Sequence, residues 1–305
     1  MTFPLARPVG KGSRLAIIAP AGPFNEDAFI KGIAWLRERY EVTFNPDIFT
    51  KTGYLAGTDE RRLRELNRAI IDPDIDAIVC ARGGFGTTRI LPGIDPDTVR
   101  DANKMLVGFS DISALHAIWA TAGVRSMHAP MVAALGSAPE LIREQWVDTL
   151  EFPQKSRQWT LRPLNGSEDQ SATGILTGGN LAVLCSIIGT PYCPPLDNKI
   201  LFIEDVGERP YRVDRMLTTM SQAGWFERIR GLVVGAFTEG EPGSDGVTID
   251  EVIASHFKAA AFPVLTGFSA GHIDDNVAIP FGANTTIREG ILETSSPIVD
   301  RDSLT

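Results

Sequence analysis

The sequence predicts an α/β protein: an N-terminal parallel sheet flanked by helices with a nucleophile elbow, followed by a second, smaller α/β domain. In the first half, short continuous apolar runs alternate with segments whose apolar residues recur at helical spacing. Continuous apolar runs are typical of strands buried on both faces, and their alternation with helices indicates a parallel sheet. In such sheets the functional loops lie at the carboxyl ends of the strands.

The first predicted strand is the apolar run Leu15–Ala19, and a Pro-Ala-Gly-Pro turn follows it. The next segment predicts a helix, because polar residues suited to a helix start, Asn25–Asp27, precede apolar residues at helical spacing. A second helix is predicted where Thr58–Asp59 can cap a segment that Asp72-Pro73 ends. The apolar face of the first of these helices comprises Phe29, Ile33, Leu36 and Tyr40.

Two further apolar runs, Ala77–Cys80 and Met105–Val107, predict the next strands. The glycine-containing segment Arg82–Gly86 follows the first of them, and Gly108–Asp111 follows the second. A helix is expected from Asp111 to about Ala122. Both loops are therefore expected at the carboxyl edge of the sheet.

The N-terminal domain is assigned to residues 1–140 and the smaller C-terminal domain to 172–305. Between them, at 141–171, apolar periodicity weakens while Pro, Ser, Gly and charged residues accumulate, so this stretch is interpreted as a linker. Strands of the second domain are expected at Gly174–Asn180, Ile200–Ile203, Leu232–Gly235 and Val264–Thr266. Its helices are expected at Tyr211–Met220 and Ile249–Ala260.

The composition is that of an ordinary globular protein, with 43% hydrophobic and 22% charged residues. The net charge of −9 argues against a nucleic-acid partner, because a nucleic-acid surface needs clustered Lys and Arg. No apolar run is long enough for a membrane span, so no membrane partner is expected. Three cysteines far from any metal-ligand spacing, and an N-terminus without a signal-peptide pattern, favour a cytoplasmic protein.

The segment most informative about function is Gly108-Phe109-Ser110-Asp111, between a predicted strand and a predicted helix. A serine there stands on a sharp turn, with its hydroxyl pointing out of the sheet and backbone N–H groups nearby. Gly108 lets the chain turn tightly. Position 112 is isoleucine, so the full G-x-S-x-G pattern is absent, and a Ser-Asp pair that caps a helix is the alternative interpretation.

A carboxylate and a histidine follow two other predicted strands. Glu204-Asp205 ends the run Ile200–Ile203, where an α/β protein places working groups, although capping or pairing with nearby arginines is the alternative. His272 lies on a glycine-rich loop after Val264–Thr266. We expect this loop to be flexible and its histidine to pack against nothing, which favours a functional role.

The other three histidines are weaker candidates. His116 falls on or near the apolar face of the helix after Ser110 and is expected to be a satisfied core residue. His128 ends a short strand and has no evident carboxylate partner in the sequence. His256 is expected to be helical and exposed.

Serine, glutamate and histidine thus follow three strands in this order, in the combination of a catalytic triad. Ser110 needs a base such as His272, and that base needs a group such as Glu204 to hold its tautomer. Stabilisation of an oxyanion needs two backbone N–H donors, for which Asp111 and the Gly83-Gly84 loop are candidates. The nucleophile would come from the first domain and the other two groups from the second.

Two segments could form other kinds of site. Gly84-Phe85-Gly86 could cradle a phosphate, but the third glycine of a dinucleotide fingerprint and the Gly-Lys-Ser/Thr of a P-loop are absent. His272 with Asp274 and Asp275 could bind a metal, but no second histidine accompanies them. We therefore expect neither a cofactor nor a metal.

Five segments in this order resemble the LD-carboxypeptidases, a family that also includes the microcin C self-immunity peptidases. The resemblance runs from the first predicted strand to about Gly282, and the ordered set is more specific than any single motif. The segments are Ala81–Gly86, Gly108–Ile112, Phe202–Glu208, Tyr211–Arg215 and Gly271-His272.

The resemblance implies a nucleophile at Ser110, a triad glutamate at Glu204 and a triad histidine at His272. It places the oxyanion donors on the backbone N–H groups of Gly84 and Asp111. It further implies a cytoplasmic, cofactor-free serine peptidase, commonly a homodimer. The usual substrate of the family is the murein tetrapeptide, from which the terminal D-alanine is removed at an L,D bond.

The terminal carboxylate of such a peptide is negative, as is the protein, so a local donor must hold it. Arg82 and the N–H groups of the adjacent glycine loop, Gly83 among them, are the candidates. Arg82 could instead pair with an acid across the domain interface.

Two other functions stay open at this point. One is a microcin-C-type peptidase that cleaves an aminoacyl-nucleotide conjugate, for which Trp159 is the conspicuous loop aromatic that could stack on a base. The other is a two-domain small-molecule binding protein without catalysis, in which Ser110 and His272 would lie out of hydrogen-bond reach. The chain also departs from the family at Ile273–Asn276, where many members have a proline soon after the histidine.

Overall fold

The computed structural model describes residues 3–164 and 169–295 of the chain. Within these ranges the strands form one six-stranded and one eight-stranded sheet. The strands are β1 (Arg14–Ile18), β2 (Glu41–Thr43), β3 (Ala77–Cys80), β4 (Met105–Gly108), β5 (Ser126–His128), β6 (Arg157–Thr160), β7 (Arg162–Pro163), β8 (Ala172–Asn180), β9 (Lys199–Val206), β10 (Gly231–Thr238), β11 (Val264–Thr266), β12 (Ile279–Phe281), β13 (Asn284–Arg288) and β14 (Ile291–Ser295).

Helices connect most of these strands. They are α1 (Glu26–Arg37), α2 (Asp59–Ile71), α3 (Thr87–Ile90), α4 (Pro96–Ala102), α5 (Ser113–Ala122), α6 (Val132–Leu135), α7 (Glu140–Glu151), α8 (Leu181–Ser186), α9 (Pro210–Gln222), α10 (Trp225–Arg228) and α11 (Ile249–Phe257). Short 3₁₀ turns span Pro46–Phe49, Leu91–Gly93 and Ser110–Ile112. The predicted caps are present, because the side chains of Asn25 and Thr58 accept hydrogen bonds from the first turns of α1 and α2.

The six-stranded sheet has the order β12-β5-β4-β3-β1-β2. Neighbouring strands from β2 to β5 are parallel, as the alternating pattern predicts. Its two faces are covered by separate apolar layers, so Ile17 and Ile18 of β1 point into different cores. Phe29 of α1 packs in one layer and Trp119 of α5 in the other, which confirms a parallel sheet flanked by helices.

The eight-stranded sheet has the order β6-β14-β13-β8-β9-β10-β11-β7. Its central strands β8 to β11 are parallel, and antiparallel strands flank them on both sides. Residues of α9 and α11, such as Leu217 and Ile253, cover one face. Phe202 of β9 and Phe268 lie in the apolar layer on the other face.

The stretch 141–171, which we interpreted as a linker, contains regular structure. Helix α7 buries Ile142, Trp146 and Leu150, and the last two lie in a core of the first sheet. These three residues recur every four positions, which is helical spacing, but the surrounding polar residues obscure it in the sequence. β6 and β7 then join opposite edges of the second sheet. Residues 165–168 lie outside the described chain.

The two sheets are connected by a strand that returns to the first one. β12 lies in the C-terminal half of the sequence, yet it pairs antiparallel with β5, with Ile279 opposite His128. The loop that carries His272 lies between β11 of the second sheet and β12 of the first. The chain therefore brings this loop to the junction of the sheets, where β4 ends beside β5.

A second junction joins α5 to β8. The N–H of Asn180 donates to the Ser113 hydroxyl at 2.8 Å, and the Asn180 side chain donates to Asp205 at 2.9 Å. Glycine at 179 is required here, because a Cβ at that position would lie 2.2 Å from the Ser113 oxygen. The helix that follows Ser110 is thereby held against the strands that carry the acid.

His116 of α5 bonds to the ends of β4 and β5 in the same region. Its ring is buried, with Nε2 donating to the Gly108 carbonyl and Nδ1 bonded to the Ser126 hydroxyl, both at 2.8 Å. The prediction of a satisfied core histidine is confirmed. Burial lowers the pKa of this imidazole from 6.5 to about 4.

This buried histidine predicts a loss of stability in acid. Between pH 6.5 and about 4 the unfolded chain binds a proton at His116 that the folded chain excludes, so the free energy of unfolding falls as pH decreases. The contribution of this residue over that window is about 3 kcal/mol. The free energy of unfolding, measured with urea at pH 7.5 and at pH 4.5, should differ less between the two pH values for His116→Asn than for the unsubstituted chain. An equal pH effect in both proteins would contradict this.

Candidate active site

Ser110 stands on the sharp turn that the sequence predicts, between β4 and α5. Its φ of 64° is in the left-handed region, which is uncommon for a residue with a side chain and costs free energy. The side chain is partly exposed. This turn directs the hydroxyl out of the carboxyl edge of the sheet, which is the arrangement of a nucleophile elbow.

Ser110, His272 and Glu204 form one hydrogen-bonded chain. His272 Nε2 lies 3.1 Å from Ser110 Oγ, and His272 Nδ1 lies 2.8 Å from Glu204 Oε2. With Nδ1–H donating to the carboxylate, Nε2 is free to accept the serine proton. A binding protein without catalysis was expected to hold Ser110 and His272 out of reach, and the distance of 3.1 Å contradicts that alternative.

Glu204 lies at the carboxyl end of β9 and is completely buried. Its Oε1 has no hydrogen-bond partner among the described residues, so the contact of Oε2 with His272 is the main compensation for the buried charge. A buried carboxylate that loses its partner is strongly destabilising. The imidazole is therefore held in one orientation and one tautomer.

The loop that carries His272 makes specific contacts, whereas we expected a flexible loop whose histidine packs against nothing. The His272 ring packs on Phe109, with ring centroids 4.9 Å apart. The Asn276 side chain accepts from the N–H of Gly271 at 2.9 Å, and the N–H of Val277 donates to the Ser269 carbonyl. The expectation that this histidine packs against nothing was wrong, because Phe109 comes from the nucleophile turn, 163 positions away in the chain.

The glycine before His272 makes room for the acid. A Cβ at Gly271 would lie 2.9 Å from Glu204 Oε2, and its φ of +130° is a conformation that other residues rarely adopt. The glycine thus allows the backbone of the loop to pass directly over the carboxylate. The short distance from Glu204 to His272 depends on this close approach.

The predicted oxyanion donors lie on two loops that meet at Ser110. A Cβ at Gly83 would lie 3.1 Å from Ser110 Oγ, so the glycine loop lies directly against the nucleophile. Gly84 has a φ of +110°. Among the described residues, the N–H groups of Gly84 and Asp111 have no hydrogen-bond acceptor. Both N–H groups are therefore available to a developing oxyanion.

Residues that sequence reasoning missed hold these two loops together. The N–H of Thr87 donates to the Asp111 carboxylate at 2.9 Å, and its hydroxyl donates to the Asp111 carbonyl at 2.6 Å. Arg62, fully buried, donates to the carbonyl of Gly86 at 2.8 Å and to that of Pro20. No local sequence pattern marks these contacts, because they join residues at least 24 positions apart.

Burial also shifts the pKa values of ionisable groups around Ser110, Glu204 and His272. It raises the pKa of Asp111, and it raises that of Asp205 to about 6. His128 is completely buried beneath Phe109, and burial, together with the neighbouring His116 and His272, holds its pKa well below the usual range. His128 is therefore neutral and adds no positive charge beneath the triad.

Arg82 is exposed at the edge of the glycine loop. Its guanidinium donates to the Pro23 carbonyl at 2.7 Å, and it has no acidic partner among the described residues. The alternative role, pairing with an acid across a domain interface, is therefore not observed in that part of the chain. The charge of Arg82 is uncompensated and available to an anion.

Three other sequence predictions concern residues around the site. His256 is helical as predicted, but it is half-buried and contacts Asp214 at 2.7 Å. Trp159 lies within β6 and packs on Phe268, so the interpretation of it as a loop residue was wrong. In residues 3–164 and 169–295, no three His, Cys, Asp or Glu side chains cluster as metal ligands would, and no helix is long and apolar enough to cross a bilayer.

The order of these elements agrees with known proteins. Residues 15–129 match the N-terminal domain of LD-carboxypeptidases, and residues 173–287 match their C-terminal domain. The chain belongs to the LD-carboxypeptidase family. Membership of this family identifies the chain as a serine-type peptidase. The N-terminal match contains Ser110, and the C-terminal match contains both Glu204 and His272.

Individual relatives cover nearly the whole chain. It is 33% identical over 296 residues to a protein of Bacillus subtilis (strain 168) named probable murein peptide carboxypeptidase, with 93% of each covered. The crystal structure of muramoyltetrapeptide carboxypeptidase from Oxalobacter formigenes is 30% identical, with a TM-score of 0.84 over 93% of this chain and 99% of that one. The microcin C7 self-immunity protein of Escherichia coli is 24% identical, with 93% of this chain and 92% of that protein covered.

The close approach at Gly271 yields a prediction for this LD-carboxypeptidase. Gly271→Ala should push the Glu204 carboxylate away from His272 and lower kcat by roughly 10- to 100-fold, because a small misplacement of a catalytic group is costly. The control is Gly267→Ala in the same loop, where φ is also positive but no atom lies within 4 Å of the new Cβ. Steady-state kinetics of both variants should show the large loss only in the first. If kcat fell equally in both variants, backbone strain alone would explain the loss, and the proposed displacement of Glu204 would be contradicted.

Proposed function

We propose that this protein removes the terminal D-alanine from murein tetrapeptide by serine catalysis. The observation that carries the proposal is the hydrogen-bonded chain from Ser110 through His272 to the buried Glu204. Support for the substrate comes from the relatives named as murein peptide and muramoyltetrapeptide carboxypeptidases. A cleft with free N–H groups beside the serine is consistent with attack on a peptide carbonyl.

In the first half of the reaction His272 Nε2 accepts the proton of Ser110 as its Oγ attacks the carbonyl carbon. The N–H groups of Gly84 and Asp111 stabilise the negative charge that develops on the carbonyl oxygen. Glu204 stabilises the imidazolium that forms and keeps Nε2 directed at the serine. His272 then donates its proton to the nitrogen of the leaving D-alanine.

In the second half a water molecule replaces the leaving group. His272 removes a proton from this water, which attacks the acyl carbon bound to Ser110. Proton return to Oγ releases the shortened peptide and restores the serine. Every proton transfer uses one imidazole nitrogen, so the reaction needs no metal or organic cofactor.

A microcin-type activity on an aminoacyl-nucleotide conjugate is the second candidate, and the 24% identical self-immunity protein supports it. It would use the same nucleophile and base. Trp159, the candidate aromatic for stacking on a base, packs on Phe268. This packing favours the murein peptide over the nucleotide conjugate.

We also propose, from the resemblance to the family, that the protein acts in the cytoplasm and as a homodimer. A cytoplasmic location is consistent with a proposed role in the recycling of cell-wall peptides.

The nucleophile assignment predicts the outcome of removing one hydroxyl. Ser110→Ala should lower kcat on a D-alanine-terminated tetrapeptide by at least about 10⁴-fold, because triad members act as a unit. Ser186→Ala removes an exposed hydroxyl on α8 and should leave kcat unchanged. Chromatographic measurement of released D-alanine distinguishes the two. Turnover within tenfold of normal in Ser110→Ala would exclude the proposed mechanism.

The uncompensated charge of Arg82 predicts how the substrate carboxylate is recognised. If its guanidinium binds that carboxylate, Arg82→Ala should lower kcat/KM for the free-acid peptide by roughly 10-fold or more, as expected for a lost charge-assisted hydrogen bond. The same substitution should affect the C-terminal amide of that peptide much less. Competition kinetics with both peptides measures the difference, and equal losses would refute this role.

A further inference from the structure

The buried acid of the proposed triad has more hydrogen-bonding capacity than its contact with His272 uses. Glu204 is completely buried, and its Oε2 lies 2.8 Å from His272 Nδ1. Its Oε1 is buried as well and has no partner among the described residues. A carboxylate oxygen without a donor in the protein interior costs free energy. A second donor is therefore expected close to Oε1.

A buried amide on the histidine loop has the complementary need. Asn276 is 2% exposed, and its Nδ2 has no partner in the described part of the chain. Its Oδ1 accepts from the N–H of Gly271 at 2.9 Å, so exchanging the two ends of the amide would place two donors against each other. The NH₂ group therefore points away from the Gly271 N–H and has protons to donate.

Gly271 brings both groups into one region. A Cβ on this glycine would lie 2.9 Å from Glu204 Oε2 and 3.1 Å from Glu204 Cβ, while its N–H bonds to Asn276. The carboxylate and the amide thus approach the same residue without a direct hydrogen bond between them. Internal water molecules in proteins join buried polar groups that are arranged in this way.

We propose that Asn276 is a positioning residue of the triad, and that its amide donates to Glu204 Oε1 through one internal water molecule. The inference rests on the proposed serine mechanism and adds a supporting residue to it. The water accepts from Nδ2 and donates to Oε1, so both oxygens of the carboxylate are bonded. A carboxylate held at both oxygens cannot rotate, and its Oε2 stays directed at His272 Nδ1.

This support acts on the chemical step. Glu204 stabilises the imidazolium that forms when His272 accepts the serine proton, and a rotated carboxylate would stabilise it less well. Substrate binding precedes that proton transfer and does not require the imidazolium. Loss of the Asn276 donor is therefore expected to lower kcat and to change KM little.

A double-mutant cycle tests whether Asn276 acts through Glu204. Asn276→Leu removes the donor and keeps a side chain of similar size. It should lower kcat on a D-alanine-terminated tetrapeptide by roughly 10-fold, as expected for one lost hydrogen bond to a charged group, and change KM less than about twofold. In a Glu204→Gln background the same substitution should lower kcat by a further factor below about two, because the charge that Asn276 supports is gone.

The matched control is Thr238→Val in the same two backgrounds. The Thr238 hydroxyl donates to the His272 carbonyl at 3.4 Å, so this substitution also removes a hydrogen bond to the histidine loop, but one that does not involve Glu204. It should change kcat by the same factor in both backgrounds. A crystal structure of the unsubstituted protein is the second measurement and does not depend on the folding of a variant. It should show one water molecule within hydrogen-bond distance of Asn276 Nδ2 and Glu204 Oε1.

Three results would overturn the inference: an unchanged kcat in Asn276→Leu, an equal loss from this substitution in both backgrounds, or a crystal structure without the bridging water. Each of them leaves the proposed function intact when Ser110→Ala is inactive, because that variant tests the nucleophile independently. Full turnover in Ser110→Ala would instead refute the serine mechanism and the inference with it.

Discussion

The contact between the buried carboxylate of Glu204 and Nδ1 of His272 is the interaction on which the rest of the site depends. A charge removed from water is tolerated only when a partner compensates it, and here that partner comes from a loop 68 positions away. Because the carboxylate cannot move without losing this partner, it fixes the loop as well as the imidazole. Gly271 and Asn276 are arranged around this contact, the first by leaving space and the second by bonding the loop backbone.

Several independent contacts hold the two halves of the chain together. β12 returns from the second half to pair with β5, and Asn180 binds Ser113 at the start of the helix after the nucleophile. Phe109 and His272 then pack ring against ring across this junction. A nucleophile and a base on different sheets need such redundancy, since a relative shift of 1 Å would break the 3.1 Å contact between them.

Sequence patterns correctly predicted the structural elements that depend on interactions between residues close together in the chain. The apolar run of β4, the caps Asn25 and Thr58 and the turn at Ser110 depend on neighbours within a few positions. The partners of the site could not be found in this way. Phe109 beneath His272 and Thr87 on Asp111 are fixed by tertiary packing, and α7 was missed because polar residues obscured its buried face. The proposed triad could be predicted because catalytic residue types followed three predicted strands, and the family resemblance assigned a role to each of them.

The charge of the whole molecule does not explain how such a site binds an anionic peptide, since the protein itself carries a net charge of −9. Recognition must come from groups within a few ångströms, where solvent screens least. Gly84, Asp111 and Arg82 supply such groups: the first two have free N–H groups, and the third has an exposed cation without an acidic partner among the described residues. Under the proposed function, these donors would bind the negative terminus of the peptide, which a protein of negative net charge would otherwise repel. In the proposed reaction, these local donors, and not the net charge, would therefore orient the peptide so that the bond next to its carboxyl terminus reaches Ser110.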